Sequence, residues 1–502
     1  MHTKNKIAIL LLAVLFFALL YFDYIFPFFE LLTKVLFAIL LLVSFGIVIQ
    51  RLGSFDGTFF GIYMVGTKKG VATMQHLSRK YKGFLDAMAL WGMFLGFGLM
   101  SYRFLKGNSG RIRLWKILVP GIMSMIFISL ALPALSVMTL QIIKIPQISS
   151  LLSGANPLAI SLPGIIKQYV LSYNFYVLLA VAVVFGFSGI MVALLAFSTY
   201  TTLSQIGISL YKYLQVINIP NSHYSPPLNV VPGVVPIIPG IDIPLVAGIL
   251  ALIGIIAVHE LSHGILANAF KIKVKSLGVV LLGLIPIGAY VEPDEKMMKK
   301  LSNARQTKIL SAGPSANFLS MIIFSVPALL IAIFVIPVIM STGVFVTAVQ
   351  PNYPASGILS PGMRIISWNG HNITNVSAVA AAAAQDKPGS IVNITTNTGS
   401  YSFTAVADPS NKSKGLVGVE LSQNQSINNT PYAKSMYFAY TLFALLFSLN
   451  FFIAVVNLLP VPGLDGWRIY KTNIKNKKFI NLLTILIVFA IVVNVLPWFF
   501  IA

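Results

Sequence analysis

Apolar runs of about 20 residues alternate with short polar stretches along most of the chain, at 7–26, 31–50, 84–102, 116–141, 171–198, 244–270, 309–340, 436–458 and 479–501. A run of that length crosses a hydrocarbon core as a helix, so the pattern predicts a polytopic α-helical membrane protein with about nine transmembrane helices. The first run follows Lys4 and Lys6, has no small-residue cleavage site and is succeeded at once by another run, and it reads as a retained anchor.

The pattern changes once. Residues 341–435 are rich in Ser, Thr, Asn and Gly and contain no spanning run. Alternating segments there, Val344–Thr347, Ile391–Ile394 and Tyr401–Thr404, predict strands. The Ala-rich run Val376–Ala384 predicts a helix. A small α+β domain of about 80 residues, inserted between two spans, follows. The chain therefore divides into an N-terminal transmembrane region (1–240), a first membrane segment (241–340), the inserted domain (341–430) and a second membrane segment (431–502). Within the first membrane segment, 277–291 is apolar but interrupted by Gly278, Gly283, Pro286 and Gly288. A spanning helix is disfavoured there, and a re-entrant hairpin is expected, with an edge that could pair with an extended peptide.

Composition agrees: 57% of residues are hydrophobic and 10% charged, against about 25% charged in soluble domains. The net charge of +22 is scattered between apolar runs and forms no basic stripe with interleaved aromatics, so no nucleic-acid partner is expected. Lysines and arginines concentrate in loops 271–308 and 467–478, which the positive-inside rule makes cytoplasmic, leaving the inserted domain outside. The Asn-x-Ser/Thr triplets at Asn372, Asn375, Asn393, Asn411, Asn424 and Asn428 all fall in that domain, as an external surface would have them. Loop 103–115, with Arg103, Lys106, Arg111 and Arg113, runs against this scheme. The absence of cysteine excludes disulfides, thiol catalysis and thiolate metal sites.

Candidate chemistry lies inside the apolar runs. His259-Glu260-Leu261-Ser262-His263 sits between Ile253–Val258 and Ile265–Phe270. Two imidazoles four positions apart share one helix face and can bind one Zn²⁺. Glu260 is placed to take a proton from an attacking water and pass it to a leaving amine. Polar groups this deep in a span are costly unless partnered, and they default to function. A catalytic zinc takes three protein ligands. Asp465 is the candidate third, because Asn457-Leu-Leu-Pro460-Val-Pro462-Gly463-Leu-Asp465-Gly466 directly follows an apolar run, and its prolines and glycines break the helix and let a carboxylate turn inward. The competing reading has Asp465 capping the next helix at the membrane edge.

His259-Glu260-x-x-His263-Gly264, with Asn457-x-x-Pro460 running into Leu464-Asp465-Gly466, resembles the site-2 protease family of intramembrane zinc metalloproteases. Ser311-Ala-Gly313-Pro314-Ser-Ala-Asn317-Phe318 resembles that family's Gly-Pro-x-x-Asn stretch. Pro226–Pro244 is similar to the segment preceding the catalytic helix in archaeal members, and Gly343–Val346, Pro354-Ala355, Gly357, Gly362–Ile365 and Asn369-Gly370 look like a PDZ domain. The resemblance covers about 244–502. It implies zinc at His259, His263 and Asp465, Glu260 as base, and cleavage of transmembrane protein substrates in the lipid bilayer. The active site is expected toward the cytoplasm, and the PDZ-like domain is expected to bind substrate ectodomains or C-terminal tails. Asn457 and Asn317, amides at membrane depth, are expected to bind substrate, the competing reading for both being interhelical hydrogen bonding. Two alternatives are a membrane zincin with a Glu ligand, disfavoured because no later span carries Glu, and a transporter or receptor that relays protons through the His and acid groups and holds no stoichiometric zinc.

Overall fold

A computed structural model describes residues 31–53, 61–105, 115–142, 173–217, 234, 237–283, 285–409, 411–427 and 430–497. The apolar run at 7–26 and most of Pro226–Pro244 lie outside them. The described residues form two compact units, one holding residues up to 325 and from 442 on, the other holding 326–441.

In the first unit the chain runs through α1 (Leu31–Gly53), β1 (Ile62–Thr67), α2 (Val71–Lys80), α3 (Lys82–Phe97), α4 (Ser101–Leu105), α5 (Trp115–Ile142), α6 (Tyr173–Ile217), α7 (Leu245–Ala269), β2 (Val274–Leu282), β3 (Ile285–Pro293), α8 (Glu295–Met298) and α9 (Asn303–Leu330). Six helical stretches among the described residues are long and apolar enough to cross a membrane: Lys82–Leu105, Phe175–Lys212, Leu245–Ala269, Asn303–Ile339, Pro431–Val456 and Lys477–Val495. The runs expected at 31–50 and 116–141 are helical as α1 and α5, with shorter apolar stretches at Leu40–Leu52 and Leu118–Ala131. The expectation of about nine spans is thus met for six. Helix α6 outruns its apolar stretch because the polar residues after 198 include no proline to stop it. It kinks at Gly186, whose φ of 71° suits glycine. There it meets α3, and Ser188 Oγ–H donates to the Gly96 carbonyl at 2.5 Å.

The expected hairpin over 277–291 is present as β2 and β3, and it is not alone. β1 pairs antiparallel with β2, Ile62 opposite Leu282 and Thr67 opposite Leu277, giving the order β1-β2-β3. One edge of the hairpin is therefore already covered, and β3 carries the remaining edge. Tyr63 Oη–H, buried in this join, donates to the Gly283 carbonyl at 2.7 Å.

Helix α3, from the region without a recognised motif, packs into the core through its small residues. A Cβ at Gly92 would lie 2.0 Å from Ser315 Oγ, and one at Gly96 2.3 Å from Leu458 Cδ1. The same helix supplies Asp86, which accepts from Lys308 Nζ at 2.7 and 3.0 Å. Because Lys308 is buried, this pair ties α3 to the start of α9.

The second unit begins in the late part of the Asn303–Ile339 stretch, where a π-helical turn (Ile331–Val335) precedes α10 (Ile336–Ile339). Then come β4 (Met340–Val349), β5 (Arg364–Trp368), β6 (His371–Asn372), α11 (Val376–Ala383), β7 (Ile391–Thr396), β8 (Ser400–Thr404), β9 (Val406–Ala407), β10 (Gly415–Leu416) and β11 (Val419–Ile427). Six strands make one sheet in the order β11-β4-β5-β7-β8, with β6 on β5. Its alternating inward residues, among them Val344, Val346, Ile365, Val392, Ile394 and Phe403, bury a core in which each large apolar side chain is worth about 1.5–3 kcal/mol. Asn375 caps α11 by accepting from Ala378 N–H at 2.8 Å. The expected strands and helix are there, and the unit is a small α+β domain. Helix α12 (Pro431–Val456) leads out of this unit, and α13 (Asp465–Asn473) and α14 (Lys477–Val495) complete the chain.

Candidate metal centre

Helix α7 forms because its 25 residues are almost all apolar. It carries His259 and His263 one turn apart, with 7% and 9% of their surface exposed. Asp465 arrives from the far end of the sequence. Helix α12 stops at Val456, Pro460 and Pro462 prevent its continuation, and Gly463 turns the chain at φ 95°, a conformation that favours glycine. Gly466 N–H then donates to the Asn457 carbonyl at 2.7 Å, closing the turn. Asp465 is the first residue of α13; Leu464 is the capping residue, and no side chain caps that helix. The Asp465 carboxylate is directed at the imidazoles instead of the helix end.

Asp465 Oδ2 lies 3.2 Å from His259 Nε2 and 3.2 Å from His263 Nε2, and the two Nε2 atoms are 3.2 Å apart. A regular tetrahedron with that edge has its corners about 2.0 Å from its centre, the usual Zn–N and Zn–O distance. It is the one such cluster of His, Asp and Glu among the described residues. The chemistry of the atoms also fits. His263 Nδ1–H donates to the Ile309 carbonyl at 2.8 Å, and since a carbonyl only accepts, the neutral ring turns a bare Nε2 lone pair toward Asp465. With His259 in the same tautomer, three acceptors converge on one buried point, which calls for a cation.

Other groups frame this triangle. Asn317, fully buried on α9, sets its amide 3.0 Å from His259 Nδ1, and its Oδ1 has no hydrogen-bond partner. The residue expected to bind substrate thus faces the back of a ligand ring. Gly313, also on α9, lies over the triangle: a Cβ there would stand 2.4 Å from His263 Nε2 and 2.5 Å from His259 Nε2. Glu260, half-buried, accepts from Val291 N–H of β3 at 3.2 Å. Asn457 is half-buried beside the turn, and its backbone holds Gly466.

The sequence brought His259, Glu260, His263 and Asp465 into view through side chains with obvious chemistry. It did not single out Gly313, whose contribution is the side chain it lacks, nor Ile309 and Val291, which act through backbone atoms. The Gly-Pro stretch at 313–314 was the available signal for Gly313.

Residues 247–497 match Peptidase family M50. An uncharacterized protein of Methanocaldococcus jannaschii is 32% identical over 242 residues, covering 47% of this chain and 60% of that protein's length.

Proposed function

Because the chain belongs to peptidase family M50, a metalloprotease family, we propose that it is a zinc endopeptidase that hydrolyses peptide bonds in or near the transmembrane segments of membrane proteins. The observation that carries this reading is the triangle of His259, His263 and Asp465 ligand atoms, each 3.2 Å from the others, inside a membrane protein. These three residues would hold the ion. When bound, it supplies Lewis acidity toward a water and the scissile carbonyl.

The chain's own residues do the rest. Glu260 takes the proton of the attacking water on its carboxylate and returns it to the leaving amine. Asn317 fixes the His259 ring. With the amide turned so that its oxygen faces the ring, His259 Nδ1–H donates to Oδ1 and Nε2 is left bare for the ion; amide oxygen and nitrogen are assigned from such partners. No protein group among the described residues bonds the Asn457 side-chain amide, which is free to hold the substrate backbone or the developing oxyanion.

A substrate helix must unwind before its backbone can be cut, and in lipid the freed groups need new partners. The outer edge of β3 supplies them by strand addition. That edge includes Val291, whose amide meets Glu260, so a strand laid along it passes the base. The concentration of Lys and Arg in loops 271–308 and 467–478 supports a cytoplasmic active site with the α+β unit outside, where it would act as a PDZ-like module for substrate ectodomains or tails.

The test is metal analysis of purified full-length protein together with cleavage of a transmembrane reporter in vesicles. One zinc per chain is expected, with Glu260→Gln keeping the metal and losing turnover by at least about 10²-fold. Active protein without zinc, or full turnover by the variant, refutes the reading.

A further inference from the structure

At the end of the catalytic helix, away from the metal triangle, three chain segments meet around an open cavity of about 560 Å³. Arg79 comes from the last turn of α2, Lys82 from the first residue of α3, and Lys271 and Lys273 from the link between α7 and β2; Gln75 and Asn268 add amides. Four cations thus line one hollow. Lys275, Lys308 and Arg468 make ion pairs, and among the described residues none of these four does.

Completion of the α7 end does not account for the charge at Lys271 and Lys273. Helix α7 closes with Lys271 N–H donating to the Asn268 carbonyl and Ile272 N–H to the Ala267 carbonyl, both at 2.9 Å. The Ala267 and Asn268 carbonyls are therefore satisfied by backbone without help from a cation. In this type of closure the residue at the turn is usually glycine, because it is left-handed. Here that residue is Lys271, at φ 64°. A side chain kept at a backbone position that disfavours it points to a use for the side chain.

The cavity's level in the membrane follows from the helices that bound it. Lys82 begins one candidate span, Lys82–Leu105, and Lys271 lies two residues beyond the end of another, Leu245–Ala269. Both ends lie where the hydrocarbon gives way to headgroups. Basic pockets at that level recognise the phosphate of anionic lipids.

We propose that this cavity is a binding site for a phosphate-bearing anion, supplied by the headgroup of an anionic phospholipid. The inference rests on the membrane reading of the helices and not on proteolysis, so its test needs no turnover.

The experiment uses full-length protein purified in mild detergent and exposed to vesicles of phosphatidylglycerol, vesicles of phosphatidylcholine, or inorganic phosphate, with bound lipid counted by mass spectrometry and stability followed by thermal unfolding. Phosphatidylglycerol is expected to be retained and to stabilise, and phosphatidylcholine is not. Each cation removed, as in Arg79→Gln or Lys273→Gln, should lower retention about fivefold. Lys271→Gly is the decisive variant. It relieves the left-handed backbone, so the protein without lipid should unfold at the same temperature or higher while retention falls. Stabilisation by the vesicles alone supports the lipid source, and equal stabilisation by inorganic phosphate assigns the site to the free anion. Retention of both lipids in equal amounts, or no loss of phosphatidylglycerol in Lys271→Gly and Arg79→Gln, overturns the proposal.

Discussion

Replacing Gly313 with alanine adds one carbon to a helix that should otherwise welcome it, since alanine is the better helix former by about 1 kcal/mol. At this site the added Cβ would lie 2.4 Å from His263 Nε2, 2.5 Å from His259 Nε2 and 2.6 Å from His259 Cδ2. Ordinary contact needs about 3.5–4.0 Å, so the rings or the α9 backbone must move by about 1 Å. The rings have little freedom, because His263 is held by the Ile309 carbonyl at 2.8 Å and His259 by Asn317 at 3.0 Å. Metal sites tolerate errors of about 0.2 Å in ligand distance, and a 1 Å misplacement at a reacting centre costs on the order of 10²-fold in rate. Gly313→Ala should therefore keep the fold, lose zinc to a chelator at concentrations the unsubstituted protein resists, and cut at least about 10²-fold more slowly. The assays are zinc content after graded dialysis against chelator, unfolding in detergent, and reporter cleavage. Undiminished zinc retention and turnover in a folded Gly313→Ala protein would show that the space between the two Nε2 atoms is not where a metal sits.

Three further outcomes follow. Asn317→Ala should weaken zinc retention about 10–100-fold, whereas Asn317→Asp, which still accepts from His259 Nδ1–H, should keep it; a changed KM with zinc retention intact would return Asn317 to substrate recognition. Asn457→Ala should leave zinc bound and lower kcat by about 10²-fold, and unchanged turnover with zinc in place would remove its role. Asp86→Ala should destabilise the protein by about 1–3 kcal/mol in chemical unfolding, less than a fully buried pair because the Asp86 side chain is 34% exposed. Asp86→Leu combined with Lys308→Met should recover most of that loss, and a double variant no more stable than Asp86→Ala would show that the charge pair is not the source.

Much of the architecture could be read from hydrophobic patterning, because a spanning helix and an alternating strand announce themselves locally. Helices α7, α9, α12 and α14 and the strands of the α+β unit fall where the apolar runs and alternations lie. The ligand residues were legible for a related reason: a histidine pair, or an aspartate after a proline-broken helix, is conspicuous in an apolar setting. Features set by distant chain segments were not. β1 is a short strand whose partner lies more than 200 residues away, and nothing in Ile62–Thr67 names Leu277–Leu282. The packing of α3 under Ser315 and Leu458 rests on Gly92 and Gly96, which in sequence are two glycines in an apolar helix. Asn317 was legible as a buried amide, but the ring nitrogen it faces was not.

The centre is held by contacts between elements and not within any one motif. Two imidazole nitrogens and a carboxylate oxygen 3.2 Å apart repel one another when all three present lone pairs, and the repulsion grows as the surroundings become less polar. A proton relay avoids this by alternating donors and acceptors, so its groups need no fixed triangle. Here each corner is restrained separately. His263 is tied to α9 through Ile309, His259 to α9 through Asn317, and Asp465 is set by the turn that Gly466 closes on Asn457. Behind them α9 is pinned to α3 by Lys308 on Asp86 and by Ser315 against Gly92. Several independent supports that hold these three atoms at tetrahedral spacing fit the proposed divalent ion. On this argument α3 belongs to the scaffold of the proposed metal centre although it lies outside the matched residues 247–497.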